Sequence, residues 1–385
     1  MNYGPTIFLF IDALGWEVVE QTGFMQDVLP FRRRIGMQFG YSSSAIPTIL
    51  SGRPPAVHGH LGLFRFAPGD SPFHRRGKFA PLLKPSSFWN RGRIRNMLSR
   101  LLGRLHGFTG YFQLYKVPFE KLPYLDYCEK QDLFVPGGMG EVENLADVML
   151  RRGCRFHISN WRLGDQRNFK EASKAVANGA EFLFIYTAEL DALLHQHPSP
   201  QAPPIRAKLE WYCQEIKRLQ KVCDNAGLSP RLTVISDHGM TPLKRTVDLK
   251  TAVERTGLVF GQDYGACYDS TMLRVNFLKP GVAEAIKTAI RPFEDCGHWL
   301  SPEEEKNYGI YREDRYFGDA IFLVAPGVQI VPSDMTLEAL PGMHGYAPDD
   351  KDSYAAILSN VEIPPEVKQV SDYFAWFSRA AGTND

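Results

Sequence analysis

The 385-residue chain sets 44 Lys and Arg against 43 Asp and Glu, with 44% hydrophobic and 23% charged residues. This is the composition of a globular protein long enough for one α/β domain with insertions or for two domains, and a net charge of +1 supplies no general field for nucleic acid. No run reaches the ~20 apolar residues needed to span a bilayer, and the apolar stretch from Ile7 to Ile11, stopped by Asp12, is too short for the core of a signal peptide. Cys128, Cys154, Cys213, Cys223, Cys267 and Cys296 follow no paired spacing and read as reduced and mostly buried. A cytoplasmic protein with no specific nucleic-acid partner is expected.

In chain order, Thr6 to Ile11 is a continuous apolar run ending in Asp12-Ala13-Leu14-Gly15, the pattern of a parallel-sheet strand feeding a loop. A helix is expected from Phe31 to Gly36. Between Gly40 and Gly52, three serines precede an apolar turn and a glycine, which reads as a loop entering a short helix that glycine closes. Pro47 fits the first turn of such a helix.

From Ser71 to Phe119 there are ten Lys and Arg and no acidic residue. Ile94, Met97, Leu98, Leu101, Leu102 and Leu105 share one helical face, with Arg91, Arg95, Arg100 and Arg104 largely off it; Gly103 weakens that helix by roughly 1 kcal/mol. Residues 62–135 therefore read as a basic amphipathic insertion outside the strand-helix alternation. The alternation resumes with a helix over 142–152, strands over 155–158 and 181–186, and a long helix over 205–222. A strand from Leu232 to Ile235 ends in Ser236-Asp237-His238-Gly239-Met240. Residues 249–336 form a smaller α+β lobe with a strand over 272–277. The expected fold is α/β, a central mostly parallel sheet flanked by helices, carrying the basic insertion and the smaller lobe.

Ligands collect at the carboxyl ends of strands in such sheets. Asp12, the Asp191/His195 pair, the Asp237/His238 pair and His344 all fall at strand ends or in the loops beyond them. The i, i+4 spacing of Asp191 and His195 puts carboxylate and imidazole on one face of a helical turn. Three imidazoles and three carboxylates without cysteine suit zinc, with manganese second. Two such ions roughly 3.5–4 Å apart clamp the attacking and leaving oxygens of an in-line displacement at phosphorus.

The strand ending in Asp12, the segment Leu50-Ser51-Gly52-Arg53-Pro54-Pro55-Ala56-Val57-His58-Gly59, Asp191 to His195, Ser236 to Met240, and Met343-His344-Gly345-Tyr346 together resemble the alkaline phosphatase superfamily, in particular its nucleotide pyrophosphatase/phosphodiesterase branch. The pieces stand in that family's order and span nearly the whole chain. The resemblance implies one catalytic domain over 1–385, with Asp191, His195 and His344 on one metal and Asp12, Asp237, His238 and the nucleophile on the other. The family nucleophile precedes the glycine of its (Thr/Ser)-Gly-x-x-Pro motif by ten residues, which is Ser42 here; Ser43 and Ser44 adjoin it, and Thr48 lies where packing is expected. Backbone N–H groups at the helix start would face the phosphoryl oxygens.

Two departures stand out. Ala45 occupies the place of an Asn that contacts a nonbridging oxygen in this branch, so that oxygen needs another donor. The Cys/Ser-x-Pro-x-Arg signature of sulfatases is absent, Ser44 and Ile46 filling its Pro and Arg positions. His58 and His60 read as structural, and Glu189 as either a support for a ligand or a surface carboxylate.

The implied activity is a two-metal phosphohydrolase of phosphodiesterase or pyrophosphatase type, with a phosphoserine intermediate and a small-molecule phosphoester substrate. Phosphotransfer, phosphomonoester or phosphonate hydrolysis on the same site, or a binding protein without turnover, are the alternatives. The basic insertion (Arg75, Arg76, Lys78, Lys84, Arg91, Arg93 and Arg95 among Phe73, Phe79, Phe88 and Trp89) reads as a cap for an anionic or lipid-like substrate or as a seat on an anionic membrane. It reads equally as a solvated helix packing its leucines inward, or as a dimer contact.

Overall fold

The computed structural model describes residues 3–74, 89 and 91–380. Of the basic insertion, Arg75, Arg76, Lys78, Phe79, Lys84 and Phe88 lie outside the described residues.

The longest strand, Tyr3–Ile11, runs through the middle of a six-stranded sheet. Phe182–Thr187 and Ser229–Ile235 flank it in parallel, and Phe156–Ile158 extends the sheet beyond Phe182–Thr187. On the other side Ala355–Ser359 pairs antiparallel with both Ser229–Ile235 and Phe31–Ile35, so one strand runs against the other five. The fold is the expected mostly parallel α/β architecture.

Residues two apart on a strand share a face, and the central strand divides the core accordingly. Ile7, Leu9 and Ile11 point to the helices Trp16–Thr22, Asp165–Ala177, Glu189–Gln196 and Pro203–Asn225. Phe8 and Phe10 point to Ser42–Ser51, Leu145–Arg151 and Tyr373–Ala380. Both faces are covered, which is why the strand reads as an unbroken apolar run.

Phe31–Ile35 corrects the helix expected there. Arg32, Arg33 and Arg34 hide any alternation, and the segment is a strand because a late partner claims it: Ile35 pairs with Ala355 and Phe31 with Ser359. Arg33 also donates to the carbonyls of Pro364 and Val367 at 2.8 and 2.9 Å. The short helix begins at Ser42, which puts Pro47 in its second turn rather than its first, and Gly52 closes it at φ 66°. The missing Pro47 N–H costs that helix one internal hydrogen bond, offset by burial of most of its length.

A second, antiparallel sheet has the order Tyr264–Tyr268, Met272–Phe277, Ala320–Val324, Gly297–Trp299, with its own apolar core against Val282–Ile290. Within the basic insertion, Gly92–Leu105 is helical, yet its apolar residues divide. Leu98 and Leu102 pack inward, while Met97, Leu101 and Leu105 are exposed. All six cysteines are free, three of them buried.

Candidate metal centre and phosphoester site

The parallel strands deliver three groups to one edge of the sheet. Asp12 follows directly on Tyr3–Ile11, its N–H bonded to the Thr187 carbonyl at 3.0 Å. Asp237 and His238 follow Ser229–Ile235. The two loops are tied together, since Asp237 Oδ1 accepts from the N–H of Ala13 at 3.2 Å and of His238 at 3.0 Å. Ser236 Oγ donates to the Leu14 carbonyl at 2.7 Å.

Every one of these side chains is buried. The His238 Nδ1–H donates to the Gly239 carbonyl at 2.8 Å, which fixes the tautomer and leaves a lone pair on Nε2. That lone pair faces Ser42 Oγ at 3.1 Å, Asp237 Oδ2 at 3.2 Å and Asp12 Oδ1 at 3.6 Å. The Ser42 hydroxyl can donate to it, but neither carboxylate oxygen has a hydrogen-bond partner. Burial first, then the neighbouring carboxylates of Asp237 and Asp191, raises Asp12 well above the ordinary carboxylate value; burial raises Asp237 as well.

A second group adjoins the first. The helix Glu189–Gln196 carries Asp191 and His195, with Asp191 Oδ1 at 3.5 Å from His195 Nε2 and 3.7 Å from His344 Nε2. His195 is oriented by its Nδ1–H, which donates to the Gly342 carbonyl at 2.9 Å. Asp191 Oδ1 and His344 Nδ1 are buried without partners. His344 is held well below the ordinary imidazole value by burial and then by His238 and His195, so its ring is neutral.

Buried lone pairs that converge without a proton between them are costly. A divalent cation removes that cost, and nitrogen and oxygen donors of this kind are what zinc and manganese take. Among the described residues, Asp12, Asp237 and His238 form one candidate metal-binding group and Asp191, His238 and His344 another, the ligand atoms of each lying within 4.8 Å of one another. His238 thus sits between the two groups, and His195 reaches the second one through Asp191.

Of the serines, Ser42 alone touches the cluster. Ser44 Oγ donates to the Phe39 carbonyl at 2.9 Å, and Thr48 Oγ1 donates to the Ser44 carbonyl at 3.0 Å. His58 accepts the His60 N–H at Nδ1 and bonds Thr48 Oγ1 through Nε2 at 3.0 Å, so it braces the helix. Ser43 differs from its neighbours: it lines the cavity beside the cluster, and its hydroxyl is buried without a partner.

That cavity, about 380 Å³, is bounded on one side by Asp12, Ser42, Asp191, His195 and His344. Its lining also includes the aromatic rings of Tyr111, Tyr115, Phe134, Trp161 and Tyr186, together with Glu129, whose carboxyl burial pushes up to about 8.

The family profile for type I phosphodiesterase / nucleotide pyrophosphatase matches residues 40–347. The chain belongs to this family. It is a phosphoester hydrolase with the alkaline phosphatase-like fold. Among solved structures, murine ectonucleotide pyrophosphatase / phosphodiesterase 5 aligns over 98% of this chain and 95% of its own, at a TM-score of 0.65 and 14% identity, both free and as an inactive variant in complex with AMP. The human protein of that name aligns over 98% and 94%, at a TM-score of 0.66 and 13% identity. No curated protein matches the chain in sequence. Members of the family depend on divalent metals, in keeping with the two candidate ligand groups.

Some supports of this family site carry no signal in the sequence. Asp165, at the start of a helix, accepts from the Ala188 N–H at 3.0 Å and the Tyr212 hydroxyl at 2.5 Å and pairs with Lys208 at 3.0 Å. It anchors the entry to the helix that bears Asp191 and His195. Glu189 pairs with the same lysine at 2.6 Å and accepts the Asp165 N–H at 3.2 Å. Tyr41, which precedes Ser42, accepts the Thr271 N–H at 2.9 Å and bonds the Thr271 hydroxyl at 2.7 Å, tying the start of the Ser42 helix to the second sheet.

Proposed function

We propose that the protein is a metal-dependent phosphodiesterase acting through phospho-Ser42. The observation that carries this is Ser42 Oγ, at the first position of its helix, 3.1 Å from His238 Nε2 and beside unpartnered carboxylate oxygens. Asp191, His195 and His344 would hold one divalent ion and Asp12, Asp237, His238 and Ser42 the other, zinc before manganese. Such ions supply Lewis acidity that favours the Ser42 alkoxide and offsets charge on the phosphoryl oxygens.

The chain does the rest. Ser42 Oγ attacks phosphorus, the O–P bond to serine forms, and the bond to the leaving alcohol or phosphate breaks. Water then attacks phospho-Ser42, releasing the phosphoryl product and restoring the hydroxyl. The first N–H groups of a helix have no carbonyl within it to bond, so those of Ser42 and Ser43 serve the nonbridging oxygens. The Ser43 hydroxyl, buried and unpartnered, takes the place left open by Ala45.

The cavity supports a diester over a bare monoester. About 380 Å³ lies within the ~300–1,000 Å³ of small-molecule sites, and its aromatic wall calls for a flat or apolar leaving group. The test is metal content of the purified protein together with hydrolysis of bis(p-nitrophenyl) phosphate and p-nitrophenyl phosphate. Two ions per chain and diester turnover lost in Ser42→Ala are the expected results; no bound metal after zinc or manganese is supplied would sink the mechanism.

A further inference from the structure

Most surface helices bury leucine and expose arginine. Gly92–Leu105 does part of the reverse. Its inward stripe is Arg95, Ser99 and Gly103. Arg95 Nη1 donates to the Val117 carbonyl at 2.7 Å, and its guanidinium lies 3.9 Å from the centre of the Phe119 ring. Ser99 Oγ accepts from the Leu114 N–H at 3.0 Å, and Gly103 comes close to Phe112, where an added Cβ would stand 3.4 Å from the ring. With Leu98 and Leu102, these contacts seat the helix firmly.

The outward stripe is Met97, Leu101 and Leu105, 59%, 51% and 57% exposed. Their i, i+4, i+8 spacing makes one continuous apolar ridge. Arg93, Arg100 and Arg104, all exposed, run along one flank of it at i, i+3 and i, i+4 positions. No acidic side chain occurs anywhere from Ser71 to Phe119.

We infer that this helix is a docking surface for an anionic lipid bilayer, lying in the membrane interface with the ridge inserted and the arginines on lipid phosphates. An exposed apolar stripe bordered by arginine is the pattern of interfacial helices, and the segment itself contributes no acidic residue to oppose anionic headgroups. A second copy of this chain packed antiparallel on the ridge would set arginines against arginines. No helix among the described residues is long and apolar enough to cross a membrane, so the attachment is peripheral. Tyr111 and Tyr115 belong to the same apolar cluster as Leu98 and Leu102 of this helix and also line the cavity, so one cluster joins the proposed docking surface to the proposed phosphoester site.

Sedimentation of the metal-loaded protein with vesicles of phosphatidylcholine, with and without 30% phosphatidylserine, tests this. Binding should require the anionic lipid and weaken as salt is raised. The triple variant Arg93→Gln/Arg100→Gln/Arg104→Gln should lose about 100-fold in apparent affinity, and Met97→Gln/Leu101→Gln/Leu105→Gln at least about 10-fold. Both variants should hydrolyse the soluble diester as the parent does, which separates failure of docking from failure of the phosphodiesterase reading. Vesicle binding that neither variant alters would overturn the inference. So would a dimer in gel filtration that the apolar variant dissociates, which would reassign the ridge to self-association.

Discussion

The imidazoles of His238 and His344 lie face to face, ring centroids 3.8 Å apart and planes within 13°. Two protonated rings could not occupy that arrangement, since the charges would meet in a buried site. Burial and its two imidazole neighbours already hold His344 neutral, the form that binds metal. Replacing His344 with Asn should therefore lower the metal content measured by atomic absorption and reduce diester turnover by at least about 100-fold, because even groups behind the ligands are worth roughly 10–100-fold.

Ser42 and Ser43 should separate by size of effect. Removing a nucleophile costs on the order of 10⁴-fold or more in kcat, whereas removing one donor to a nonbridging oxygen costs about 10²–10³-fold. Ser42→Ala should thus leave no measurable burst or turnover. Ser43→Ala should keep the metals and the KM and lose only kcat; an unchanged kcat would remove Ser43 from the mechanism.

Asp165 acts at a distance. Asp165→Ala strips the partner from the Ala188 N–H and the Tyr212 hydroxyl and leaves the largely buried Lys208 ammonium with Glu189 alone. Breaking such a buried set costs about 3–5 kcal/mol, readable as a lower urea midpoint. A purely structural role would stop there. Positioning of Asp191 and His195 predicts in addition a roughly 10–100-fold weaker metal affinity in the folded variant, measured by competition with a chelator.

Acid should destabilise the protein through histidines outside the metal centre as well. Burial lowers His60 to about 4 and, aided by His60, lowers His58 well below 6.5. In the unfolded chain both titrate near 6.5. The folded state therefore holds fewer protons between these values, so the stability from the neutral rings is complete above about pH 6.5 and drains away as pH falls toward 4. Urea midpoints at pH 7 and pH 5 should differ less in His60→Asn than in the parent.

Gly345 and Tyr41 give a further check on how the His344 loop is held. Gly345 sits at φ 92°, and a Cβ there would fall 2.6 Å from the Tyr41 ring. Gly345→Ala should push these apart and lower turnover more than stability. Tyr41→Phe leaves the Thr271 N–H without its acceptor and should cost about 1–3 kcal/mol, seen in thermal melts.

What the sequence disclosed, and what it hid, follows the range of the interactions. Asp12 and the Asp237-His238 pair end strands whose apolar runs are unmistakable, and the spacing of Asp191 and His195 is a local helical fact. Phe31–Ile35 reads as helix from the sequence because its strand character comes from pairing with Ala355–Ser359, far along the chain, while three arginines mask the pattern. The helix over 92–105 was legible as amphipathic, but which apolar residues turn inward depends on Val117, Leu114 and Phe112, whose positions no periodicity reveals. Asp165 was invisible for the same reason, since its partners are an amide before one later helix and a phenol and an amine on the next.

The site draws Asp12 from the first strand and His344 from a loop just before the last. During synthesis, Asp12 appears long before the ring that stacks on His238. The central strand itself waits for Ser229–Ile235 before its second edge is paired. A growing chain can therefore carry most of the candidate ligands before the cluster can close, which waits for His344. The same long-range closure makes the final folding step slow relative to local helix formation, and loss of the segment around His344 would take away the ring that stacks on His238.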